Sequence, residues 1–156
     1  VAEAEGREVK ARREVRLTID YPAYLPDTYV EDSEKRMGMY SRIALISSAE
    51  DRVALSNELT DVYGKPPTEA ENLLEAALLK NLAADINAVA LIVRGEDCRL
   101  LFEKALDIPE EAIETARADS DTLVRLDGDR PCIRTVGKKR LLNFLLKCRQ
   151  KRGLNV

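Results

Sequence analysis

Glu58 and Asp61 stand three residues apart, on what reads as the last turn of a helix, just before Gly64. That spacing puts both carboxylates on one helix face. Acids at a helix C-terminus oppose the helix dipole. The pair therefore needs either plain solvent or a cationic partner. From the residues alone, two ordinary solvated acids are the simpler reading. The neighbouring Gly64-Lys65 invites a phosphate-loop reading, but that motif needs a glycine five residues earlier and Ser or Thr after the lysine. Leu59 and Pro66 occupy those positions, so the motif is absent. Asp127-Gly128-Asp129 offers carboxylates for calcium, but the rest of that loop pattern is missing, and Asp127-Gly128 reads better as a hairpin turn. Asp119-Ser120-Asp121 reads as a solvated loop.

The opposite charge collects at the other end. From Arg130 onward there is no acid, and Arg130, Arg134, Lys138, Lys139, Arg140, Lys147, Arg149, Lys151 and Arg152 follow one another. Such a cluster can neutralise phosphates, and Lys138, Lys139 and Arg140 are the candidate nucleic-acid contacts. Against this, Phe144 is the only aromatic nearby, and cations late in a helix are favoured by the dipole alone. A solvated or intramolecular basic face is the stronger reading. The chain contains no histidine, which excludes His-based zinc sites and Ser-His or Cys-His catalysis. No carboxylate pair has a helper beside it. The expectation is a domain that is not an enzyme, with no catalytic residue, cofactor or metal.

The 156 residues suit one domain with a real core. A net charge of −3 does not draw the chain as a whole to nucleic acid. Cys98, Cys132 and Cys148 form an odd set without CxxC spacing, as expected of reduced thiols in a cytoplasmic protein. No apolar run is long enough to cross a membrane. The chain begins at Val1 with a charged, non-periodic run. Residues 1–13 are read as the tail of a linker from a preceding module, and 14–156 as one domain, expected to be monomeric.

These residues need elements to position them. Val15, Leu17 and Ile19 alternate with polar residues and predict a strand. Tyr21 to Pro26 cannot be regular helix; its tyrosines and leucine pin the loop to the core. Asp32 or Ser33 caps a helix running to about Ile46, with Met37, Tyr40, Ile43, Ala44 and Leu45 inside. Gly38 within it costs about 1 kcal/mol against alanine, so close packing or a weak point is expected. Ser48 with Asp51 starts a second helix, whose apolar face is Leu55, Leu59, Val62 and Tyr63. Gly64, Pro66 and Pro67 stop it. Thr68 with Glu71 reads as a capping box for a third helix to about Asn87, with Ala70, Leu73, Leu74, Ala77, Leu78, Leu82 and Ile86 inward. Residues 88–93 and 98–103 form strands turned by Gly95-Glu96-Asp97. Pro109 opens a short helix, Glu110 to Arg117. Residues 122–126 and 132–136 form a second hairpin. Gly137 leads into a last helix with Leu141, Leu142, Leu145, Leu146 and Cys148 inward. The order is an N-terminal strand, a three-helix segment, two β-hairpins separated by a short helix, and a C-terminal helix: an α+β domain.

Taken together, these stretches resemble the C-terminal domain family of the bacterial transcription-repair coupling factors (Mfd). Ala23-Tyr24-Leu25-Pro26-Asp27-Thr28-Tyr29-Val30 is similar to that family's A-Y-I-P-x-x-Y-I. Arg36, Tyr40, Arg42 and Ile43 continue the likeness. Glu58 to Pro67 (E-L-T-D-V-Y-G-K-P-P) is similar to E-L-x-D-R-F/Y-G-x-x-P; Asn72-Leu73-Leu74 and Arg125-Leu126-Asp127-Gly128 also fit. The resemblance implies a parent that is an ATP-driven DNA translocase in nucleotide excision repair. That parent removes stalled RNA polymerase and recruits UvrA, and its motor motifs lie in other domains. It implies that this domain packs on the parent's UvrB-like module and masks its UvrA-binding surface, with Glu58 and Asp61 as the partner contacts. Val62 stands where the family usually has arginine, so the local interface is expected to differ.

Overall fold

The computed structural model describes residues 14–126 and 130–154. The expected linker tail, 1–13, and the Asp127-Gly128 turn lie outside these. The elements, in order, are β1 (Arg16–Ile19), α1 (Ser33–Ile43), α2 (Ala49–Tyr63), α3 (Thr68–Asp85), β2 (Ala90–Arg94) and β3 (Asp97–Leu101). They continue through a 3-10 turn (Ala105–Asp107), α4 (Glu110–Arg117), β4 (Leu123–Arg125), β5 (Cys132–Val136) and α5 (Lys138–Leu154). The α+β reading and its element order hold.

The five strands make one sheet in the order β1-β2-β3-β5-β4. β1 runs parallel to β2, because the three-helix segment carries the chain back across. The remaining neighbours are antiparallel. The register aligns Leu17, Leu91, Leu100, Ile133 and Val124 in one row across all five strands. Residues directly opposite share a face, so this row and the next (Ile19, Val93, Cys98, Thr135) are the sheet's side of the core. Helices α3 and α5 cover it; α3 touches β2, α5 touches β5, and each touches the other. Leu74, Leu78, Leu82, Leu141 and Leu145 are all at most 1% exposed.

Several local expectations need correction. No capping box forms at Thr68: Pro67 is the N-cap, with no side-chain cap bond, and its carbonyl already takes the amides of Ala70 and Glu71. Glu71 lies 3.5 Å from the Ser56 hydroxyl instead. In α1 the buried residues are Met39 and Ile43, while Met37 and Leu45 are 71% and 77% exposed. Ala44 is exposed too, because the helix ends at Ile43 and the chain then turns so that Ile46 enters the core. A Cβ on Gly38 would meet nothing within 4 Å, so close packing does not explain that glycine. Val62, expected inward on α2, is 65% exposed at the helix end.

A charged corner between two helices

Ser48 caps α2 by accepting from the amide of Asp51, and Leu55 and Leu59 bury its inner face. The helix stops at Gly64, whose φ of 89° and ψ of −176° belong to a region open essentially to glycine. Buried Pro66 and the cap Pro67 then start α3 in a new direction. The proline-rich loop after β1 holds this corner in place. The Tyr29 phenol lies 2.8 Å from the Gly64 carbonyl and 3.3 Å from that of Leu59, and its ring tilts against Tyr63 at 5.6 Å. The loop is itself fastened. Asn72 donates to the Pro22 carbonyl, Arg36 to that of Val30, and the Leu25 amide donates to the Tyr40 phenol.

Glu58 and Asp61 are both exposed on the last two turns of α2. Glu58 already has a cation. Arg42, at the end of α1, meets it with both terminal guanidinium nitrogens, Nη2 lying 2.7 Å from Oε1. The hydrogen bonds from Arg42 hold the Glu58 carboxyl below the usual glutamate range. Both side chains stay about half exposed, so solvent weakens the attraction. The pair spans a groove between α1 and α2. Leu45, Ile46, Ala54 and Leu55 line about 300 Å³ on one side of it; Gly38, Met39, Val62 and Tyr63 line about 310 Å³ on the other. Asp61 has no ion pair among the described residues. Sequence reasoning named Arg42 but missed its pairing with Glu58. Nothing local links residues in different helices; only the crossing of α1 over α2 does.

The C-terminal cations are largely spent inside the domain. Lys138 lies 3.1 Å from Glu75 and 4.1 Å from the centre of the Tyr21 ring. Arg140 bonds Asp119 at 3.0 Å and Asp121 at 3.2 Å. Arg149 bonds Asp85 and the Ser47 carbonyl, tying α5 to α3 and to the loop before α2. Lys151 and Arg152 face Glu114 and Glu111. Of the three candidate nucleic-acid contacts, only Lys139 has no ion pair among the described residues. It lines a cleft of about 520 Å³ with Asn143, Lys147, Asp119 and Glu96. No cluster of metal-ligating side chains occurs among the described residues. No helix there is long and apolar enough to cross a membrane.

Fold and corner together define an α+β domain that carries its charged groups at the surface, around two helices meeting at a glycine-proline corner. A family model described as the TRCF domain matches residues 19–113, and the chain belongs to that family, the C-terminal domain of transcription-repair coupling factors. It is 39% identical over 80 residues to the transcription-repair-coupling factor of Myxococcus xanthus, covering 51% of this chain and 7% of that protein. With the Bacillus subtilis protein it shares 30% over 127 residues (81% and 10%). With that of Haemophilus influenzae it shares 33% over 129 residues (80% and 11%). The chain thus spans about a tenth of the length of these relatives. A crystal structure of a transcription-repair coupling factor C-terminal domain has the same fold. It superposes with a TM-score of 0.72 at 18% identity, over 91% of this chain and 98% of that one.

Proposed function

We propose that this domain is a non-catalytic regulatory clamp of a transcription-repair coupling factor. In this reading the parent is an ATP-hydrolysing DNA translocase that acts on stalled RNA polymerase during excision repair. The domain packs on the parent's UvrB-like module and covers the surface that UvrA would bind, with Glu58 and Asp61 accepting arginines of that module. The observation that carries this reading is the geometry at Glu58. An exposed carboxylate at the glycine-proline corner is already aimed to take a two-pronged guanidinium, the strongest charge-assisted geometry available to it. A partner arginine needs only to replace Arg42. Asp61 adds a second acceptor, with no ion pair among the described residues. A clamp must open, and a polar, half-solvated contact suits that. A masked state favoured 99:1 needs only about 2.7 kcal/mol, and the covalent tether raises the local concentration of the partner surface.

The test is UvrA capture by the full-length parent carrying Glu58→Lys and Asp61→Lys. Capture should rise while the domain keeps its thermal unfolding transition. Unchanged masking by a folded double variant would count against the clamp. The alternative, nucleic-acid binding through Lys138, Lys139 and Arg140, is the weaker reading, because Lys138 and Arg140 would first have to leave Glu75 and Asp119. It calls for binding that falls steeply with salt and is lost when the three are neutralised.

A further inference from the structure

Among the described residues, the helices cover one face of the sheet and leave the other open. Alternation places Arg16 and Thr18 of β1 on the open side. The register carries that side on through Ala90, Ile92 and Arg94, then Asp97, Arg99 and Leu101, to Arg134 and Val136, and to Leu123 and Arg125. Five arginines (16, 94, 99, 125 and 134) stand there, all exposed, against one strand acid, Asp97. Glu14 and Glu103 lie at one margin, beside Arg16 and Arg130, and Asp20 at the other, where its carboxylate accepts from the Gly95 amide. Between the arginines lie apolar side chains: Leu123 is 63% exposed and Val136 51%, with Ile92 and Leu101 partly so.

Stability alone does not account for this arrangement. Arg99 and Arg134 are directly opposite across β3 and β5, and like charges in that position destabilise a sheet. Asp97 mitigates the cost by reaching both, Arg99 Nη2 at 3.0 Å and Arg134 Nε at 2.9 Å. Arg16, Arg94 and Arg125 have no ion pair among the described residues. A departure from local consistency of this kind is expected where a surface serves something outside the fold.

We propose that the open sheet face docks an acidic, amphipathic segment of a protein partner. Its carboxylates sit on the arginines, and its apolar side chains cover Leu123, Val136 and Ile92. All five cations are arginine and none is lysine, the bias of protein interfaces, where arginine is enriched and lysine depleted. The guanidinium fork holds a carboxylate by two bonds at once. The exposed leucine and valine reward an apolar partner and give nothing to a phosphate backbone. No aromatic ring stands among these strand positions, so the base-stacking platform of single-strand binders is missing. The chain's net charge of −3 does not gather nucleic acid.

The test uses the whole chain and three probes at low salt: a synthetic helix with a glutamate stripe beside a leucine stripe, its glutamine counterpart, and a short mixed-sequence DNA duplex. The glutamate helix should bind and its glutamine counterpart should bind far more weakly. Arg94→Glu with Arg125→Glu, both at exposed strand ends, should weaken the glutamate helix about tenfold. Lys139→Glu with Lys147→Glu, on the helical side, should leave it unchanged. Circular dichroism confirms that each variant is folded. Three results would overturn the proposal: no binding of the glutamate helix, equal loss from the helical-side pair, or a duplex that binds through Arg94 and Arg125 more tightly than the helix does.

Discussion

Tyr29 and Gly64 are 35 residues apart, and a hydrogen bond of 2.8 Å from phenol to carbonyl joins them. Through it the loop after β1 holds the end of α2, where Glu58 and Asp61 stand. The bond satisfies a backbone acceptor at the point where the helix stops and no further amide follows to take it.

Tyr29→Phe keeps the ring against Tyr63 and removes that bond together with the longer contact, 3.3 Å, to the Leu59 carbonyl. Denaturant unfolding should show a loss of about 1 kcal/mol, with the circular dichroism spectrum unchanged. An unaltered midpoint would show that the bond adds nothing to the corner's stability.

Two glycines should respond to alanine with opposite signs. At both, a Cβ meets nothing within 4 Å, so only the backbone decides. Gly64 has a φ of 89°, and Gly64→Ala should cost about 1–3 kcal/mol. Gly38 is an interior residue of α1, and Gly38→Ala should gain about 0.5–1 kcal/mol. Melting temperatures of the two variants would settle the signs.

Glu58 should titrate below the ordinary glutamate value of 4.5, because Arg42 hydrogen bonds to its charged form. A lowered folded-state pKa means that this contribution is present above the ordinary value and is lost as pH falls through the lowered one. Arg42→Ala should return the carboxyl's titration midpoint toward 4.5, as read by carbon-detected NMR titration. On the proposed clamp, the same change in the full-length parent removes the internal competitor for Glu58. It should lower UvrA capture by about two- to fivefold, the opposite direction to Glu58→Lys.

The three thiols should separate by burial. Cys98 and Cys148 are buried, and desolvation pushes each up to about 11, while Cys132 is only partly covered. An aromatic disulfide reagent at neutral pH should label Cys132 first and the other two only on unfolding. Because the two thiols are raised above their ordinary value of 9, the stability they contribute is complete below about 9. It drains away as pH rises toward 11. Thermal unfolding across that range should show the decline, and Cys98→Ala with Cys148→Ala should flatten it.

Much of this architecture was legible in the chain because its signals are local. Strand alternation, Ser48 with Asp51, the Gly64-Pro66-Pro67 stop, Pro109 and Gly137 act on neighbours in sequence, and each element they announce is present. The local reading failed where two local signals competed. At Thr68 a proline one residue earlier took the cap. In α1 the apolar pattern had two possible faces, and packing against α3 chose Met39 and Ile43 over Met37 and Leu45. The α+β class, the helix corner and the exposed acids on it follow from the sequence alone, since spacing along one helix sets which side chains share a face. Tertiary structure alone decided which charges meet. Arg42 reaches Glu58 across 16 residues, and Arg149 reaches Asp85 across 64. The five arginines share one open face because strand register stacks them there. Register and helix crossing are set by burying the whole core at once, and no stretch of sequence encodes them by itself.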